Sequence, residues 1–279
     1  MAGTLLAIGA GTLALVALAQ GLPTVTVTRG ERTIVVAQLT AGAEGARTVL
    51  ANRNCEAGVL TNVFFGPVPG YVETRIDATV LLSQVAVVRV PLDGGATDPP
   101  AADADDPPED PAQDDETIEL FGGRVAFDRP GCIVELDDAD ARPVELRQGR
   151  TTVFGARFFL DRGTDLASMD GPVTLIRAPA EGDDRPALEA EAEAMTFDVA
   201  REQATLIGGV VVTSGERVSE AERLELDEAA GLALLSGSPA VSRRGNDEVR
   251  GNTLRYDLET DEVVAIGAVF ATFEIDLDD

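Results

Sequence analysis

Four aspartates in the second half of the chain, Asp161, Asp198, Asp227 and Asp257, are each followed ten positions later by a glycine: Gly171, Gly208, Gly237 and Gly267. Six positions before each aspartate stands a small residue, Gly155, Ala192, Ala221 or Gly251. Between the two, apolar side chains alternate as Phe158/Leu160, Met195/Phe197, Leu224/Leu226 and Leu254/Tyr256. Successive aspartates lie 37, 29 and 30 residues apart, and self-similarity at a period of about 20 to 50 residues marks a stacked array.

Each part of the unit has a physical task. Alternating apolar residues make a strand with one buried face, because side chains change face at every residue. The aspartate ends the strand, since its carboxylate accepts hydrogen bonds from backbone N–H groups of the next turn. The glycine interrupts the return strand, where a bulge or sharp bend is expected. Repeated at one place in four units, it folds the sheet along a line. The predicted fold is therefore all-β: repeat-built antiparallel strands in a curved or V-shaped sheet stack, apolar inside.

Upstream, Thr24 to Thr28, Thr33 to Ala37 and Thr79 to Val90 are rich in β-branched residues, and Glu119–Phe121 and Arg124–Phe127 flank Gly122-Gly123. The best helical candidate, Ala187 to Ala194, is short and lacks an apolar stripe. Between Asp98 and Glu116 lie nine acidic residues, five prolines and no basic residue, a composition that buries no apolar area and stays extended. The expected organisation is a signal peptide at 1–19, an N-terminal β segment at 20–96, an acidic Pro-rich linker or long loop at 97–116 and a β-repeat domain at 117–279.

The uncharged apolar run from Leu5 to Ala19, ending in Ala17-Leu18-Ala19, fits a secretory signal cleaved near Ala19, a retained membrane anchor being the weaker alternative, so export to the cell envelope is expected. Cys55 and Cys132 fit one disulfide in an exported protein, two separately buried thiols being the alternative. No CxxC pair is present, histidine is absent and every basic side chain is arginine, so no metal site and no cofactor is expected. A formal charge of −27 opposes nucleic acid. With neither His nor Lys to act as base or activated nucleophile, an enzyme is not expected. The repeated aspartates read as turn formers, because an active site is singular.

Three sets of residues resemble the OstA-like domain family, the LptA-like periplasmic bridges of lipopolysaccharide transport. They are Ala192–Asp198 with Leu206–Val212, Ala221–Asp227 with Gly237, and Gly251–Asp257 with Gly267. The match runs from about Gly155 to Phe273. The resemblance implies an all-β fold of antiparallel strands in a folded, taco-like (β-jellyroll) open sheet stack, whose greasy interior shields acyl chains of lipopolysaccharide or another envelope glycolipid on the way to the outer membrane. It also implies related OstA-like domains as partners and end-to-end self-association through open sheet edges such as Val269 to Ile275.

On this reading Phe158, Leu160, Met195, Phe197, Leu224, Leu226, Leu254 and Tyr256 line an open lipid-binding trough. The same alternation would serve an ordinary core, which leaves an envelope scaffold or adaptor without lipid cargo as the alternative. A third reading, an exported carboxylate hydrolase, lacks a non-repeated pair of acids.

Overall fold

A computed structural model describes residues 14–15, 24–29, 32–38, 49–56, 59–65, 71–91, 117–122, 124–127, 134–137, 142–198, 201, 203–260 and 262–272. Among these, every regular element is a strand. The predicted signal therefore falls largely, and the acidic tract wholly, outside the described residues; so do Cys132 and the side chain of Cys55. The chain divides into two compact units, one within Met1–Val144 and Phe159–Asp165, the other within Glu145–Phe158 and Leu166–Asp279. Among the described residues no helix is long and apolar enough to cross a membrane.

The first unit holds β1 (Ala14–Leu15), β2 (Thr24–Arg29), β3 (Arg32–Gln38), β4 (Val49–Glu56), β5 (Val59–Phe65), β6 (Val72–Ile76), β7 (Thr79–Ser83), β8 (Val85–Pro91) and β9 (Thr117–Phe121), with a separate hairpin of β10 (Arg124–Phe127) and β11 (Val134–Asp137). The β-branched stretch from Thr79 to Val90 forms two strands, β7 and β8, parted at Gln84. Antiparallel pairing makes two ladders, β1-β2-β3-β6-β7 and β4-β5-β8-β9. Val85 to Val88 are all buried, so β8 is covered on both faces and reads as a continuous apolar run.

The second unit is built on β12 (Val144–Gln148), β13 (Thr151–Gly155), β15 (Leu166–Arg177), β16 (Leu188–Asp198), β17 (Gln203–Ser214), β18 (Arg217–Asp227), β19 (Leu232–Arg244), β20 (Asp247–Asp257), β21 (Val263–Ile266) and β22 (Phe270–Thr272); the residues of β14 (Arg157–Asp161) are shared between the units. From β13 through β15 to β20 each strand pairs antiparallel with the next, and β20 pairs with both β21 and β22. The ladder does not return to β13, so the sheet is open and not a barrel. The Ala/Glu run weighed as a helix is part of strand β16. Ala190 is fully buried and the glutamates beside it face outward, so tertiary packing overrides the helical preference of alanine.

All eight small and glycine positions of the repeat meet on one line across this sheet. The pairing register shifts at Asp170/Val173, Glu191/Ala194, Ile207/Val210, Glu220/Arg223 and Ser236/Ala240. Gly171, Gly208 and Gly267 take φ of +88°, +85° and +97° there, a region that costs a residue with a Cβ far more than glycine. A Cβ on Gly171 would also lie 2.8 Å from the Ala156 Cβ, and one on Gly267 2.4 Å from Asn252 Oδ1. The seam divides every long strand into two halves, and the sheet folds back along it. The Tyr256 hydroxyl donates to Ser242 Oγ at 3.0 Å, although the cross-strand partner of Ser242 is Val249, about 23 Å from Tyr256 on a straight strand.

The turns follow the sequence as read. Asp161 Oδ1 accepts from the amides of Gly163 (2.8 Å) and Thr164 (3.3 Å), Asp198 Oδ1 from Arg201 (2.9 Å), Asp227 Oδ1 from Ala230 (2.8 Å), and Asp257 Oδ1 from Glu259 and Thr260 (2.9 Å each). These bonds hold the carboxyls of Asp257 and Asp227 below their ordinary range, the Ala230 amide acting most strongly on Asp227 and Gln203 Nε2 assisting.

Candidate functional site

The inner face of the half-sheet that ends in the aspartate turns carries two rows of side chains. One runs Met169, Met195, Leu206, Leu224, Leu235, Leu254, each opposite the next across adjacent strands. The other runs Ala167, Phe197, Ala204, Leu226, Ala233, Tyr256. Large and small alternate along this second row, which lets the opposing half-sheet interlock with it.

Six of the eight residues singled out in the sequence, Met195, Phe197, Leu224, Leu226, Leu254 and Tyr256, therefore share one face. Phe158 and Leu160 are buried on β14, with Leu160 inside the first unit. Met169, Leu206, Leu235 and the alanines come from the return strands and were missed. Their signal was present: Ala167, Ala204 and Ala233 each stand six positions after a repeat aspartate, with Met169, Leu206 and Leu235 at eight.

The facing wall, from the other half, tapers in size and changes in polarity. Its inner row reads Leu175, Ala190, Val212, Ser219, Ser242 in cross-strand order. At the serine end a buried network forms: Ser219 donates to Ser242 at 3.0 Å, and the Tyr256 hydroxyl reaches both. At the other end lies a cavity of about 30 Å³ lined by Leu146, Val153, Leu175, Met195, Phe197 and Leu226, with Gln148 and Glu228 at its border.

The expected open trough is thus a closed core. Phe197, the most accessible of the eight, is 6% exposed, because the opposing half-sheet covers the ladder. The cavity has room for about one water, so a larger molecule enters only if the halves part. A charge at Phe197 or Leu226 accordingly costs folding.

The free rims of the two halves meet through side chains. Arg177, 5% exposed, ends β15 on one rim; Nε contacts Glu228 Oε2 at 3.1 Å, and Nη2 contacts Glu259 Oε1 at 3.2 Å, both on the other rim. Its Nη1 donates to the Leu258 carbonyl at 3.4 Å. Arg150 Nη2 reaches Glu259 Oε1 at 2.8 Å, and Thr151 Oγ1 bonds Glu228. Arg150, then Arg177, hold the Glu259 carboxyl below its ordinary range.

No family model and no curated protein sequence matches the chain. Among solved structures, the chain is similar to the crystal structure of LptH, the LptA-homologous periplasmic component of the lipopolysaccharide transport device from Pseudomonas aeruginosa. The identity is 18%, the TM-score is 0.28, and the match covers 55% of this chain and 94% of that one.

Proposed function

We propose that this chain is a non-catalytic lipid-binding protein of the cell envelope, whose folded sheet receives acyl chains of lipopolysaccharide or another glycolipid between its halves. One observation carries the reading: the apolar ladder runs unbroken across six strands, β15 to β20, and among the described residues the rims that close over it meet through side chains. Each CH₂ moved from water into the interior is worth about 0.8 kcal/mol, so a long acyl chain gains enough to offset parting the halves. Such a carrier works in the periplasm, an address that the apolar run from Leu5 to Ala19 supports.

The free edge formed by β21 and β22 supports docking with related domains or another copy. Ile266, Val269 and Phe270 are 50%, 52% and 60% exposed there, and an edge strand offers unpaired backbone groups to a partner strand.

The closed interior favours the second reading, an envelope scaffold of the same fold without cargo. Mass spectrometry of lipids extracted from protein purified out of its native envelope separates the two. A bound amphiphile in near-stoichiometric amount is expected; protein free of lipid overturns the carrier reading.

A further inference from the structure

The two rims carry opposite charge where they meet. Arg150 and Arg177 stand on one and Glu228 and Glu259 on the other, so the junction is neutral within a chain of formal charge −27. An ion pair is a weak adhesive, because desolvating its charges offsets most of their attraction. Here the adhesive is also incomplete, as Arg150 Nη1 is buried without a partner. Space adjoins both partners of the pair: the apolar cavity is lined in part by Glu228, and a second cavity of about 40 Å³ is lined by Arg177, Pro186, Leu188, Tyr256 and Leu258. The halves are also joined by the Tyr256–Ser219–Ser242 network, whose Tyr256 lines the second cavity with Arg177 while its hydroxyl bonds are buried inside the fold.

We infer that the contact of Arg177 and Arg150 with Glu228 and Glu259 is a releasable clasp, and that an acyl chain reaches the interior where it parts. The inference rests on the carrier reading and names the way in. Parting the rims uncovers Leu175, Phe197 and Leu226 first, since these line the cavity beside the clasp, and the ladder then leads the chain on toward Leu254. Binding is paced by the fraction of molecules with the clasp undone.

The test bridges the rims in the full-length chain. Ala178, next to Arg177, and Thr260, next to Glu259, are exposed. An Ala178→Cys/Thr260→Cys variant is joined by a short, cleavable bis-maleimide, and each single-cysteine variant treated alike controls for the native cysteines. The probe is a neutral fluorescent monoacylglycerol, which the protein's negative charge does not repel. The bridged protein is expected to take it up at least about tenfold more slowly than the same sample after cleavage, and Glu228→Gln/Glu259→Gln to take it up about tenfold faster than wild type. Equal uptake before and after cleavage overturns the clasp as the way in and leaves the carrier reading standing. No uptake by any form, with circular dichroism showing the fold intact, overturns both. Should the double Gln variant fail to fold, the bridge and its cleavage decide alone.

Discussion

The Tyr256 hydroxyl lies 3.0 Å from Ser242 Oγ inside the second unit, joining halves of the sheet that the strand register alone would hold far apart. Removing that hydroxyl leaves Ser219 and Ser242 bonded to each other but takes away a buried partner from both. Tyr256→Phe is therefore expected to destabilise by about 1–3 kcal/mol, read as a lower denaturant midpoint with an unchanged slope. An unchanged midpoint shows that the network does not hold the fold shut.

The seam makes a graded prediction about its glycines. At Gly208, with φ of +85°, a Cβ would meet the Glu193 side chain at 2.6–2.8 Å, whereas Gly237 has no positive φ and its Cβ would lie 3.2 Å from the nearest atom. Gly208→Ala should cost about 1–3 kcal/mol, and Gly237→Ala clearly less. Thermal melts of the two variants give the order, and the reverse order contradicts the bent-seam account.

Much of this was legible because the repeat encodes backbone geometry. The aspartate marks a turn and the glycine a bend, at positive φ in Gly171, Gly208 and Gly267, and both tasks fall to few residue types. Less legible was which strand residues face each other. Ala167, Ala204 and Ala233 are too common a type to stand out until the neighbours they interlock with are known. The clasp could not be read at all, since Arg177 lies outside the repeat and meets Glu228 and Glu259 only after the sheet folds. The break at Gln84 was also hidden, because the β-branched run continues on both sides of it.

Acidification should loosen the turns and the clasp. The carboxyls of Asp227, Asp257 and Glu259 have folded pKa values below their ordinary ones. Their contribution is present above the unfolded values, about 3.9 for Asp and 4.3 for Glu, and is lost as pH falls through the lower folded values. Melting temperature should therefore fall below about pH 4. Falling pH also relieves the chain's negative self-repulsion, so the comparison is with Asp257→Asn. That variant should be less stable than wild type near neutrality and should converge with it in acid; a constant difference at every pH contradicts the assignment.

The edge predicts association. Phe270 is 60% exposed on β22, where a charge disturbs no core. Phe270→Asp should leave the melting temperature within about 1 °C of wild type, since surface changes stay within about 0.5 kcal/mol, while weakening any concentration-dependent oligomer in sedimentation. Oligomers that persist in the variant place the junction elsewhere.

The most direct test of the carrier account uses the wild-type protein and a lipid with a diazirine on its acyl chain, irradiated in complex, the labelled residues being located by tandem mass spectrometry. Label on the inner rows, at Phe197 and Leu226 above all, is the predicted result. Label confined to their outward neighbours Thr196 and Glu225, both exposed, or no label at all, contradicts it.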